Sequence, residues 1–437
     1  MRIALIHSKQ DVAGVNIRHH LESLLAAGER WPLAENHTLA FHEVDGRLIY
    51  QDRIDEEIDS DLIIFISRHS SAQPMPALTV HVTGNYDTAD LGGEPGALAP
   101  AAPAWMHTIL RNLASRAPEG YRVSYEVTHH GPTALSTPSL FVEIGSTAAE
   151  WGDPAAGRAV AASILSAAPE ETINLIGFGG THYAVRQTEI ALSSRGAFSH
   201  IAPARQVRLL DPDLIRRMQE ASCAVAAYID RKSLPAEEFE RIERMLNDAG
   251  ILLLSESEIL EAGNLEWTTY LRIRDLAEEI APGSRIHIHN LSGSGTPVPV
   301  QLNQELVEEV IKINKDGFID GIRELPVAHL SKGSIEVLPV FIGFENETSR
   351  LANDITTLCV KLLLICENTV IVGDHLVLQK VRFDPAKARR HGVPKGPLFG
   401  MLAGGRAIEI NGRRITPDMV QTTSAKRIHI PGLERYT

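Results

Sequence analysis

The chain has 437 residues, 44% of them hydrophobic and 22% charged, and its 42 Lys and Arg against 55 Asp and Glu give a formal net charge of −13. This composition supports a globular protein of two or three domains at roughly 100–200 residues each, and the negative balance speaks against a coat for DNA or an anionic membrane. Three cysteines, Cys223, Cys359 and Cys366, form no CxxC pair and point to a reducing compartment rather than a disulfide scaffold.

In chain order, "RIALIH" (2–7) reads as a buried strand. Residues 11–27 read as a helix with Ile17, Leu21, Leu24 and Leu25 on one face. "TLAFHEV", "DLIIFIS" and "ALTVHV" follow as strands, and "PAWMHTILRNLAS" as a helix with Pro103 in its first turn. Next come strands "RVSYEVTH" and "SLFVEIG", the helix "PAAGRAVAASILSAA", and strands "TINLIGF" and "AFSHIA". Helices "DPDLIRRMQEASCAVAAYI" and "PAEEFERIERMLNDAG" close the region. Apolar runs alternating with helices argue an α/β domain over 1–265, with a mostly parallel sheet covered by helices.

Residues 266–437 differ in style and suggest a smaller α+β extension. "GSRIHIHNLSGSGTPVPVQ" is Gly, Ser and Pro rich and reads as a junction or a loop-rich start. "SIEVLPVFIGF" and a helix "ETSRLANDITTLCVKLLLI" follow. Residues 380–427 then hold 11 Lys and Arg against 3 acids, a +8 window that leaves −21 for the rest. A local polyanion contact is therefore open, and so is a merely solvated basic surface. The apolar run of "MRIALIHSKQD" is too short for a signal peptide. "TTLCVKLLLICENTVIV" is broken by Lys361 and Glu367 before it could span a bilayer. A soluble cytoplasmic protein is expected, without membrane or DNA partners.

Several of the 18 histidines share one kind of position. His7, His69, His81, His129, His130 and His182 lie at or just after the carboxyl ends of strand-like runs, where ligands bind in parallel α/β sheets. A lone strand-end His is usually a satisfied surface or cap residue, so the weight rests on the group. His19, His20, His37 and His42 fall on presumed helix or loop surfaces. Glu143 sits among apolar residues in "FVEIGS", where a carboxylate is costly unless paired or bound to metal. An edge strand with Glu143 facing outward is the plain alternative. No HExxH or zinc-finger spacing occurs. Glycine loops in "HVTGNYDTADLGGEPG" and "GFGGTHY" also follow strands; they allow close approach to main-chain N–H groups or simply make turns.

In this order, "HVTGN", "THHGPT", "FVEIGST" and "GGTHY", after "RIALIHSKQDVAGVNI", resemble the archaeal/plant-type D-aminoacyl-tRNA deacylases, in a long form with a C-terminal extension. The resemblance implies a phosphorylase/hydrolase-like fold, zinc dependence, and hydrolysis of the ester joining a D-amino acid to the 3′ end of tRNA. Its motifs fall on His81, Thr83, Gly84, Asn85, His129, His130, Gly131, Glu143, Gly179, Gly180, His182 and Tyr183. Val185 stands where that pattern has proline. "HGVPKGPLFGMLAGGRAIEINGRRITPDMV" is similar to the C-terminal part of ribonuclease Z, but the HxHxDH metal signature of that enzyme is missing, "HIHNLS" being different.

These expectations give a concrete mechanism. Zinc is held by some of His81, His130, Glu143 and His182, with His129, His130 and Glu143 as the catalytic groups. Thr83, Gly84, Asn85, Gly179, Gly180 and Tyr183 contact substrate, with main-chain N–H groups of the glycine loops on the terminal ribose or the oxyanion. Two other readings stand beside this one. The first is a zinc-dependent peptidase or peptidyl-tRNA hydrolase on the same scaffold. The second is a non-catalytic tRNA-binding protein using residues 380–427.

Overall fold

The apolar runs of the first half form two sheets rather than one. Ten strands are involved: β1 (Arg2–Ser8), β2 (Thr38–Val44), β3 (Leu62–Arg68), β4 (Ala77–His81), β5 (Arg122–Tyr125), β6 (Ser139–Gly145), β7 (Ile173–Phe178), β8 (Gly196–Ala202), β9 (Ala226–Ile229) and β10 (Leu252–Leu253). The larger sheet has the order β2-β1-β3-β6-β4-β5 and the smaller β10-β9-β7-β8. All pairings are parallel except β4 with β6. The computed structural model describes residues 1–71, 74–263, 265–365 and 369–437; Cys366 and Glu367 lie outside them. The chain divides into two compact units, Met1–Gly263 and Asn264–Thr437.

Parallel strands need covered faces, and in the first unit helices supply the cover. The helix Val12–Ala26 is capped by Asp11, whose carboxylate accepts from the N–H groups of Ala13 and Gly14. It buries Ile17, Leu21 and Leu24, while Leu25 is half-buried. The helix Pro103–Arg116 begins at Pro103, as the sequence suggests, and buries Trp105, Met106, Ile109, Leu110 and Leu113.

One predicted element needs correction. The segment "DPDLIRRMQEASCAVAAYI" was expected as a single helix, but the helix ends at Ser222 and residues Ala226–Ile229 form β9. Cys223, at φ +45°, turns the chain into the left-handed region, and a four-residue apolar run is a buried strand as readily as a helical turn.

Among its described residues, the second unit contains helices Trp267–Ile280, Gln304–Arg323 and Thr348–Leu364 and three small sheets. The stretch expected as loop-rich contributes β11 (Arg285–Ile288) and β12 (Pro297–Pro299). They join β13 (Ala328–Ser331) and β14 (Phe341–Phe344) in the antiparallel order β11-β13-β14-β12. The edge position of β12 suits its two prolines, which have no N–H to donate. Sequence periodicity missed the helix Gln304–Arg323, which is interrupted at Asn314 (φ −144°, ψ 64°). No helix among the described residues is long and apolar enough to cross a membrane. The fold is mixed α/β, a largely parallel sheet flanked by helices plus smaller antiparallel sheets.

Candidate active site

Strand alternation and register bring the polar residues of the larger sheet together. Ser67 of β3 lies beside Glu143 of β6, Glu143 beside Thr79 of β4, and Phe141 beside His81. Directly opposed residues share a face, so Ser67, Glu143, Thr79 and His81 lie on one face, with Phe65 and Phe141 stacked next to them at 4.6 Å between ring centroids. The antiparallel β4 runs its carboxyl end past the interior of β6. His81 therefore sits inside the sheet, 0% exposed, and stacks on Phe141 at 5.3 Å.

Residues just past strand ends complete the group. His69 follows β3, Glu126 follows β5, and His129 and His130 lie a few residues further on. Glu126 Oε2 lies 2.9 Å from His182 Nε2 and 3.4 Å from His129 Nε2, and Glu126 Oε1 is 3.1 Å from His69 Nδ1. Glu143 Oε2 is 3.5 Å from His81 Nε2 and 3.8 Å from His69 Nδ1, while Glu143 Oε1 accepts from Ser67 Oγ at 2.5 Å. The His130 ring packs 4.9 Å from that of His81 and 4.4 Å from that of His129.

Among the described residues, three sets have donor atoms mutually within 4.8 Å: His81, His129 and His130; His69, Glu126 and His182; and His81, Glu126 and Glu143. The ring nitrogens are oriented from behind. Nδ1 of His129 meets the Val127 carbonyl at 2.7 Å and Nδ1 of His130 the Gly131 carbonyl at 2.7 Å, and His81 Nδ1 faces the Val82 carbonyl at 3.3 Å. Such contacts place the proton on Nδ1 and leave Nε2 as a lone-pair donor. Among the described residues, His81 Nε2 and both oxygens of Glu126 lack an aligned hydrogen-bond partner although they are buried.

Electrostatics divides the group. Burial opposes charge on Glu126, but His182 and His69 outweigh it and hold the carboxyl well below the usual range. Burial likewise opposes protonation of His69 and His81. Glu126 at the first and Glu143 at the second reverse this and raise both rings above an ordinary histidine. His129 is pushed well below the ordinary value by burial and by His130 and His81. His130 is pushed down to about 4 by burial and His81. His129 and His130 are thus neutral donors at pH 7 beside an ionised Glu126.

A cavity of about 730 Å³ opens on this cluster, lined by His69, His129, His130, Glu143 and His182, with Leu48, Ile49 and Leu91 as an apolar wall. The residues expected on substrate divide. The Tyr183 hydroxyl meets His69 Nε2 at 3.1 Å. Thr83 donates to the Pro132 carbonyl, and the Asn85 amide to the carbonyls of Gly92 and Glu94. The expected role of the loop N–H groups meets a different arrangement. Those of Gly84, Asn85 and Gly179 donate to the carbonyls of His130, Ala97 and Ala202, and that of Gly180 to Ser233 Oγ. Already bonded within the protein, they hold the loops. His7 stands apart, with Nε2 3.2 Å from Glu43.

Comparison with known proteins bears on this geometry. The family model described as D-aminoacyl-tRNA deacylase matches residues 56–254, a span holding all seven clustered His and Glu residues. A protein of Methanoculleus marisnigri named D-aminoacyl-tRNA deacylase is 76% identical over 436 residues, covering 100% of both chains. This chain belongs to the D-aminoacyl-tRNA deacylase family. Its Methanoregula boonei relative of the same name is 52% identical over 438 residues, again covering 100% of both. The Methanosarcina mazei member is 39% identical over 284 residues, 61% of this chain and 96% of its own. A crystal structure of a conserved protein of unknown function superposes with a TM-score of 0.54 and 34% identity, covering 59% of this chain and 96% of that one.

Sequence reasoning overlooked Glu126 and left His69 outside the expected ligand set. The signal for Glu126 was present: in "SYEVTHH" it is a carboxylate amid strand-forming residues, the same pattern that marked Glu143.

Proposed function

We propose that the chain hydrolyses the ester of D-aminoacyl-tRNA, releasing free D-amino acid and tRNA, with zinc held at the strand-end cluster of a phosphorylase/hydrolase-like first unit. The family supplies the substrate, and the observation carrying the chemistry is the convergence of five imidazoles and two buried carboxylates, of which His69, His129, His130, His182 and Glu143 line one cavity. A nitrogen-rich donor set with adjacent carboxylates suits zinc, and the buried His81 Nε2, which has no aligned hydrogen-bond partner among the described residues, fits a cation.

His81, His129 and His130 offer Nε2 atoms and would hold the metal, with Glu143 closing the set. His182, named with His81, His130 and Glu143 from sequence, groups instead with Glu126 and His69. Bound zinc supplies Lewis-acid polarisation of water and of the ester carbonyl. Glu126, kept ionised by its imidazole neighbours, orients His182 at the cavity through Nε2. With Nε2 engaged by Glu126, the other ring nitrogen, His182 Nδ1, takes the proton of the attacking water and returns it to the leaving 3′ oxygen. Ser67 fixes the Glu143 carboxylate, and the Tyr183 hydroxyl fixes His69. Thr83, Gly84, Asn85, Gly179 and Gly180 support catalysis by setting the loops that carry His129, His130 and His182.

The C-terminal unit adds tRNA contacts in this reading. Lys426 is taken up by Glu305 and Glu309, but Arg382, Arg390, Arg413, Arg414 and Arg427 have no carboxylate within 4.0 Å among the described residues. A cytoplasmic location accords with a tRNA substrate.

The test is a single assay with D-aminoacyl-tRNA, L-aminoacyl-tRNA and N-blocked peptidyl-tRNA, before and after chelation. Metal-dependent release from the D-ester alone is expected. Turnover of peptidyl-tRNA in its place would establish the peptidyl-tRNA hydrolase reading.

A further inference from the structure

The cavity has a feature that ester chemistry does not use. Residues 1–263 carry 21 Lys and Arg against 35 Asp and Glu, so a polyanion approaching this unit meets net repulsion. Yet Arg47, Arg68 and Arg205 line the same cavity as His129, His130 and His182. Among the described residues none of the three guanidinium groups has a carboxylate within 4.0 Å. Arg47 and Arg205 are exposed and Arg68 is half-buried, which sets their charges at the mouth, while the carboxylates Glu126 and Glu143 are buried beneath.

The three arrive from separate stretches, each tied to the machinery below or held by an aromatic ring. Arg47 follows β2 in sequence and lies with Cζ 5.6 Å from the ring centroid of Tyr50. Arg68 is the last residue of β3, beside His69. Its Cζ sits 5.1 Å over Trp151, whose indole N–H donates to the His69 carbonyl at 2.9 Å. Arg205 follows Ala204, whose N–H donates to the Gly180 carbonyl at 3.0 Å, two residues before His182. A guanidinium stacked on a ring keeps its edge N–H groups for an anion and matches phosphate oxygens as a fork. An ester at the 3′ oxygen of a polynucleotide always carries a phosphodiester one nucleotide away.

We propose that Arg47, Arg68 and Arg205 form an anion-binding mouth that seats the phosphodiester linkages of the terminal tRNA nucleotides and so places the ester over the His/Glu cluster. This deepens the deacylase reading above and rests on it. The mouth offsets locally the repulsion of an acidic unit, and it reads backbone charge rather than base edges.

The experiment compares D-aminoacyl-tRNA with the D-aminoacyl ester of adenosine, which lacks the phosphodiester. Full-length wild type, the triple variant Arg47→Gln/Arg68→Gln/Arg205→Gln, the matching triple Lys variant, and Arg30→Gln are assayed over a salt series; Arg30 belongs to a surface pair with Glu35. The Gln triple should raise KM for the tRNA about tenfold or more with kcat held within about twofold, and should flatten the log–log salt slope by about 2. Its turnover of the adenosine ester should stay at the wild-type level, the Lys triple should regain most of the tRNA KM, and Arg30→Gln should match wild type. A wild-type KM and salt slope for the Gln triple overturns the proposal, as does an equal loss on both substrates, which would mark a structural role. A wild type inert on both substrates instead overturns the deacylase reading itself.

Discussion

Glu126 Oε2 lies 2.9 Å from His182 Nε2, so a fully buried carboxylate just past β5 meets an imidazole on the glycine loop after β7. If this pair moves the proton, Glu126→Gln should lower kcat by about 100-fold or more while KM changes little. Steady-state kinetics on D-aminoacyl-tRNA measure this, and near-normal kcat would remove Glu126 from the mechanism.

The two donor groups should separate by metal analysis. His129→Ala and His130→Ala should each lose bound zinc, whereas His182→Ala should keep the metal and lose turnover. Atomic absorption beside a deacylation assay decides the matter, and the reverse pattern would exchange the roles of the two groups.

His200 allows a stability test away from the candidate metal donors. Its Nε2 meets the Ala99 carbonyl at 2.9 Å and its Nδ1 the Thr128 hydroxyl at 3.2 Å. Burial pushes it down from 6.5 to about 4. Between those values the unfolded chain binds a proton that the folded chain refuses, so stability is full above 6.5 and declines as pH falls toward 4, by about 3 kcal/mol at most. In urea unfolding at pH 7.5 and pH 5, His200→Gln should show a smaller pH-dependent loss than wild type; an unchanged loss would contradict this.

Gly84 faces a tight space: an added Cβ would stand 2.6 Å from Leu98 Cδ2 and 2.8 Å from Thr128 Cγ2. Gly84→Ala should destabilise by about 1–3 kcal/mol through overpacking. It should also reduce turnover, because the Gly84 N–H holds the His130 carbonyl at 2.9 Å. Denaturation and kinetics on the same preparation would show a coupled fall, and unimpaired values would indicate that the loop yields.

How far the sequence revealed this site follows from the kind of signal each residue gives. His81, His129, His130, Glu143 and His182 were legible because a polar residue inside or just after an apolar run is costly without a purpose. Glu126 gave the same signal but was masked by its two histidine neighbours. Arg47, Arg68 and Arg205 gave none, since solvated arginines are common on any surface and only tertiary structure brings these three to one cavity. The residues singled out by the strand-end rule come together in the structure, but the rule was incomplete in cause. β4 runs against β6, so His81 enters the cluster through antiparallel register, which periodicity cannot report. Short apolar runs such as "AAYI" carry no mark separating helix from strand, hence the misread β9 and the missed division into two sheets.

The pairing of β4 with β6 has a consequence for how this protein tolerates change. Inserting or deleting one residue within 77–81 would keep the hydrophobic content of the strand yet turn the imidazole of His81 to the opposite side of the sheet. In the proposed mechanism catalysis therefore depends on the parity of a backbone alignment as much as on side-chain identity, and exchange of the apolar side chains of this strand is a gentler perturbation than any change in its length.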